Sequence, residues 1–142
     1  MTTLTDAEIA YLAGQPLGRL ATVGPHARPH VVPVGFDYDP ERGTLVIGSV
    51  ADMAASKKFR DAARRPDVAF LVDDLASTNP WRPRGIEIRG RAETHAEGGA
   101  EIGRRLGASF PFDAGWIEIH PRRVVSWGID GDSYELSARD VA

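Results

Sequence analysis

The chain has 142 residues, of which 42% are apolar and 26% charged, with a formal net charge of −3. That fits one globular domain with a real core and argues against a disordered chain or a general polyanion binder. It has no cysteine, which excludes disulfides, thiolate metal sites and a cysteine nucleophile together. No apolar run approaches the roughly 18 residues of a membrane helix, and the acidic start MTTLTDAEIAYL lacks the basic segment of a secretory leader. The expectation is a cytoplasmic protein with neither a membrane nor a nucleic-acid partner.

Thr5 and Glu8 form a capping box and Gly14 offers a C-cap, which predicts a helix over Asp6–Ala13. Leu17–Val23, within LGRLATVG, reads as a strand closed by Gly24-Pro25. HVVPVGF from His30 to Phe36 is the next strand. Pro33 cannot donate to a ladder, so that strand lies at an edge, carries a bulge or faces a ligand. Asp39-Pro40 and Gly43 mark a hairpin into a strand over Thr44–Ser49.

A helix follows, with Asp52 as the expected N-cap, an apolar stripe of Met53, Phe59, Ala62 and Ala63, and Pro66 as its end. Arg60, Arg64 and Arg65 gather where the dipole favours cations. Inside the helix stands Ser56-Lys57-Lys58, which holds the only two lysines of a chain with fifteen arginines. A hydroxyl followed by two cations near a helix start is a candidate phosphate cradle. Cations there are otherwise disfavoured. The plainer reading is a solvated face with Lys57 and Asp61 as an i,i+4 pair.

VAFLV, Val68–Val72, reads as a buried central strand and DDLASTNPWRPR as an irregular loop, with Asp73-Asp74 as a turn start. Gly85–Glu93 alternates as a strand, and Glu97–Leu106 reads as a weak helix. Trp116–Ile119 and Arg123–Trp127 are two strands joined at His120-Pro121, with Trp116 in the core or an interface. The tail beyond Gly128 is a short strand or frayed. Six or seven strands in near succession, with short helices at the connections, favour a mainly β, antiparallel barrel. His26, His95 and His120 stand apart with no metal-ligand spacing, so no metal is expected. No Gly-x-Ser-x-Gly or Ser/His/Asp pattern supports hydrolysis.

The motifs LGRLATVGPHARPHVVPVGFDYD, LVIGSVADMAASKKFRDAARRPDVAFLVDD, RGIEIRGRAE and IHPRRVVSWG, in this order, resemble the pyridoxamine-phosphate-oxidase-like split β-barrels that bind flavin or deazaflavin cofactors. The chain is most similar to their actinobacterial branch using coenzyme F420, whose members are homodimers with the cofactor between subunits. The resemblance implies that Ser56, Lys57 and Lys58 hold the cofactor phosphate. It places His30, Val31 and Pro33 under the ring, Gly48 and Ser49 against the ring and ribityl chain, and Trp127 toward the partner's cofactor. Trp81-Arg82-Pro83-Arg84 is either a guanidinium clamp for an acidic cofactor tail, with Arg84 as its candidate contact, or a rigid loop.

The departures bear on activity. The oxidases that make pyridoxal phosphate carry Arg-x-His after the tryptophan, whereas Trp127 here is followed by Gly128, Ile129, Asp130 and Gly131. Vitamin B6 oxidation is therefore not expected. The resemblance implies instead a reductase passing a hydride from reduced F420 to an unsaturated small molecule, with no assigned catalytic side chain. An FMN-dependent reductase or oxidase and a non-catalytic flavin- or haem-binding module are the alternatives.

Overall fold

A computed structural model describes residues 4–131 and 134–141. Three helices, α1 (Asp6–Ala13), α2 (Lys57–Arg64) and α3 (Gly99–Leu106), accompany eight strands. These are β1 (Gly18–Gly24), β2 (Arg28–Val34), β3 (Asp37–Asp39), β4 (Thr44–Ile47), β5 (Asp67–Thr78), β6 (Trp81–His95), β7 (Trp116–Trp127) and β8 (Ser137–Asp140). All pairings are antiparallel, in the order β2-β1-β5-β6-β7-β4-β3. β8 lies beside β7 as a branch from that path. The fold is a mainly β split barrel.

Period-2 alternation builds the interior. Leu20, Phe70, Val72, Ile86, Ile88, Ile117, Ile119 and Val124 are fully buried, with Phe36 edge-on to Phe70 at 5.1 Å. β2 is the terminal strand of the sheet, which accounts for Pro33 within it. On its outer edge β7 changes partner: 117–119 pair with β4, and 123–126 pair with β8.

Four expectations are corrected. The stretch read as an irregular loop is the two arms of one hairpin, with β5 running to Thr78 and β6 starting at Trp81, so Asp73-Asp74 is strand and not turn. Its polar and proline residues are tolerated because these arms extend past the buried core. Leu75 is 39% and Trp81 63% exposed, and the register shifts between Leu75 and Ser77. The two last strands are one strand through Pro121, which a register irregularity opposite Arg89 and Gly90 accommodates. A Cβ at Gly90 would meet the His120 carbonyl oxygen at 2.4 Å, so glycine permits the close approach. Eight strands replace six or seven, because β3 and β8 form as well.

The fourth correction concerns Asp52. It does not cap α2: it sits in the left-handed region at φ 57° and opens a short 3-10 turn, Met53–Ala55, without a side-chain cap. Ser56 is the N-cap, its Oγ accepting from the Phe59 N–H at 3.3 Å. α1 has the predicted capping box, packs beside β3 and sends Tyr11 and Leu12 into the core, while α2 packs on β1 and β6. α3 covers the outer face of β4 through a cluster of Val46, Ile102, Phe112 and Trp116. Among the described residues, no helix is long and apolar enough to cross a membrane.

Candidate functional site

The start of α2 gathers charge over the end of β1. Its cap leaves the N–H groups of Lys57 and Lys58 without intrahelical acceptors, and its first turn carries no acid. The Ser56 hydroxyl is engaged in the cap and also donates to the Met53 carbonyl at 2.6 Å. The Lys57 ammonium reaches back over Gly24, where a Cβ would lie 2.8 Å from its Nζ. Glycine at position 24 therefore makes room for this cation.

Lys57 forms the i,i+4 pair with Asp61, at 3.1 Å, and Thr22 Oγ1 donates to the same carboxylate at 3.2 Å. Burial pushes the Asp61 carboxyl up, but the hydrogen bonds from Lys57 and Thr22 and the charges of Lys57 and His30 outweigh it and hold it below the ordinary value. Asp61 therefore stays ionised and neutralises one of the two lysines. Lys58, half-buried, has no hydrogen-bonding or ion-pair partner among the described residues. His30 is half-buried on β2 directly opposite Thr22. The structure thus brings His30, Ser56, Lys57 and Lys58 to one neighbourhood and adds Thr22, Gly24 and Asp61 to it. Of these three, only Asp61 is marked in the sequence, by its i,i+4 spacing from Lys57. Thr22 and Gly24 join through a strand–helix contact that no local pattern announces.

The remaining candidates lie elsewhere. Val31 and Pro33 project from the opposite face of β2 to His30, and both are exposed, Val31 by 63%. On that outer face a shallow groove of about 410 Å³ crosses β1, β5 and β6, lined by Ala21, Val23, Pro29 and Ala69 with Glu87 and Arg89 at its side. At the end of β4, Phe112 fills the space beside Gly48, its ring 2.3 Å from where a Cβ would be. The Ser49 hydroxyl is held by the Ala51 backbone, and its carbonyl accepts from the Asp113 N–H at 2.8 Å.

Arg84 and Trp127 stand at the other end of the barrel. Arg84 is six residues along β6 from Gly90, roughly 20 Å at the strand rise. Its guanidinium holds Asp74 through two bonds of 2.9 and 2.6 Å and lies over the Tyr11 ring. That Arg84 contact, outweighing burial, keeps the Asp74 carboxyl at about 2. The Trp127 ring covers Gly85 on the outer face, 2.4 Å from the Cβ position there. Within one chain, neither residue reaches Lys57.

Comparisons with known proteins agree with this architecture. The family model described as pyridoxamine 5'-phosphate oxidase matches residues 4–128. A 5a,11a-dehydrotetracycline/5a,11a-dehydrooxytetracycline reductase of Streptomyces rimosus subsp. rimosus is 47% identical over 138 residues, covering 96% of this chain and 92% of that protein. A haem-binding protein from Mycobacterium smegmatis superposes with TM-score 0.69 at 21% identity, over 99% of this chain and 60% of that one. A FAD-binding protein from the same species gives TM-score 0.63 at 21% identity, over 89% and 96%. The family match spans all three helices and every strand but β8, and on that ground the chain belongs to the pyridoxamine 5'-phosphate oxidase family.

Proposed function

We propose that this protein is an F420-dependent reductase that saturates a carbon–carbon double bond in a polycyclic substrate of the dehydrotetracycline type. The observation that carries the cofactor half is Lys58, a cation at a helix start with no acid in the first turn and no partner among the described residues. An anion there would satisfy Lys58, the free amides and the dipole together. The substrate half rests on the Streptomyces rimosus reductase, 47% identical over nearly the whole chain.

The residues fit a phosphate-bearing cofactor. Lys58, the Lys57 and Lys58 amides and the edge of the Lys57 ammonium over Gly24 would hold its phosphate. The exposed Val31 and Pro33 of β2 would set the ring's position, and the apolar groove of Ala21, Val23 and Ala69 on the same face would exclude water beside it. Reduced F420, when bound, supplies the hydride. No side chain here is assigned as proton donor, so solvent protonates the second carbon. In this reading a second copy of the chain covers the exposed Val31–Pro33 face, making a homodimer with the cofactor between subunits. Vitamin B6 oxidation is not proposed, since Trp127 lacks the Arg-x-His sequel.

Parallel fluorescence titrations with F420 and FMN, on the wild type and on Lys57→Ala/Lys58→Ala, test the assignment, with 5a,11a-dehydrotetracycline as the acceptor. F420 is expected to bind more tightly than FMN. The double variant should lose about 3 kcal/mol, roughly a hundredfold in affinity. Tighter FMN binding would move the chemistry to a flavin enzyme on the same site. Unchanged affinity in the variant would reduce the lysines to a basic helix face.

A further inference from the structure

Two neighbouring strands carry the same dyad. Glu93-Thr94-His95 closes β6 and Glu118-Ile119-His120 lies in β7. The i,i+2 spacing puts each glutamate on the same strand face as its histidine. The ladder sets Glu93 directly opposite Glu118, an arrangement in which like charges repel.

Glu118 is fully buried, and its acceptor directions can be followed one by one. Arg42 donates to both oxygens, at 2.7 and 3.0 Å, and Thr44 Oγ1 donates to Oε2 at 2.7 Å. A carboxylate offers about four acceptor directions. The one left, on Oε1, faces His95 Nε2 at 3.2 Å and His120 Nε2 at 3.7 Å. Glu93 closes the ring, with Oε1 2.9 Å from His120 Nε2 and Oε2 3.7 Å from His95 Nε2. Two donors at the usual zinc–ligand length of about 2.1 Å on a tetrahedral ion sit about 3.4 Å apart. These four glutamate–histidine separations bracket that value, with Glu93 meeting the two histidines through different oxygens.

We infer that Glu93, His95, Glu118 and His120 form a binding site for a divalent transition-metal ion, with Zn²⁺ the best match to two imidazoles and two carboxylates. Glu93, Glu118 and His120 already hold ligand atoms within 4.8 Å of one another. The surroundings orient the donors as outer partners do in metal sites. The His95 ring stacks on Trp116 at 4.0 Å and 14°, and the Trp116 indole N–H donates to the Glu97 carbonyl at 3.0 Å. Arg42 and Thr44 fix the Glu118 plane. The Glu93 and His120 side chains are 51% and 42% exposed, so an ion has access from solvent.

Four protein ligands leave no open position, the arrangement of a structural ion. Bound there, it would offset the facing carboxylates and fasten β6 to β7. Through Glu118 and Arg42 it would also fasten the turn between β3 and β4. The site shares no residue with the phosphate cradle at α2.

The test uses untagged, chelator-stripped protein titrated calorimetrically with Zn²⁺, and with Co²⁺ followed by visible absorption. His120→Asn and Glu93→Gln, both at exposed side chains, serve as variants that leave the core intact. One equivalent of Zn²⁺ is expected, with Co²⁺ bands of tetrahedral N/O coordination, and each variant should weaken binding more than tenfold. Zn²⁺ should raise the wild-type thermal midpoint and leave that of His120→Asn unmoved. No uptake at micromolar Zn²⁺, or uptake equal in wild type and both variants, would overturn the site and leave the histidines as hydrogen-bond partners of the two glutamates.

Discussion

α1 and α2 are helices of equal length, each capped by a hydroxyl residue, at different places on one barrel. α1 begins with Asp6 and Glu8, in agreement with its dipole. Its buried Glu8 receives the Arg139 guanidinium at 2.9 and 2.6 Å, and its Tyr11 donates to Asp74 at 2.8 Å. Burial pushes the Glu8 carboxyl up, but Arg139 and the Thr5 cap outweigh it and hold it down. α2 begins with two cations, against its dipole, and only one of them finds a carboxylate. A helix that answers its own electrostatics needs nothing from outside, whereas one that opposes them gains from an anion at its N-terminus. In the proposed function this contrast distinguishes a scaffold helix from a cofactor-binding one.

The comparison is broken most sharply at α1. Arg139→Ala would leave the Glu8 carboxylate buried with only its cap. We expect urea unfolding to show a loss of about 2–3 kcal/mol, and a loss below about 0.5 kcal/mol would mean that the clasp is idle. A second effect is pH-dependent. Asp74 titrates at about 2 instead of 3.8 in the folded state, so its contribution is complete above 3.8 and fades as pH falls toward 2. The thermal midpoint should therefore drop more between pH 5 and pH 3 in the wild type than in Asp74→Asn, and parallel drops would dissociate the Arg84 pair from stability. The smallest effect is the most diagnostic. Lys58→Glu should stabilise the ligand-free protein by about 0.5 kcal/mol by agreeing with the α2 dipole, while weakening F420 binding at least tenfold. A variant that loses stability and keeps affinity would reverse the assignment of the two helices.

Much of this was legible in the sequence because it is local. The Thr5–Glu8 box, the alternation of Gly85–Glu93 and the anomaly of Lys57-Lys58 each lie within a few residues. What escaped depends on pairing across distance. Leu75 and Pro83 belong to strands only because they face each other, and Pro121 stays in β7 only because Gly90 yields opposite it. Asp52 looked like a cap by residue type, but Ser56 stands where the helical dihedrals begin. The histidines read as isolated since His95 and His120 are 25 positions apart, and only the ladder makes them neighbours. The repeated Glu-x-His is a local signal, but each copy runs past the predicted strand ends at Glu93 and Ile119, and only the longer β6 and β7 hold both histidines.

The divided outer edge of β7 has a consequence for how errors in assembly are detected. β4 and β8 share that edge end to end, so neither can slide along it without meeting the other. A β4 shifted by two residues toward Val124 keeps its inward and outward faces correct, which makes it the slip that alternation alone cannot reject. Here such a slip would set Thr44 opposite Arg122, whose carbonyl accepts the Val141 N–H at 2.6 Å, and so displace the end of β8 that carries Arg139. The Glu8 carboxylate would then stand uncompensated in the core, and a misregistered edge would register as a buried charge at the far end of the fold.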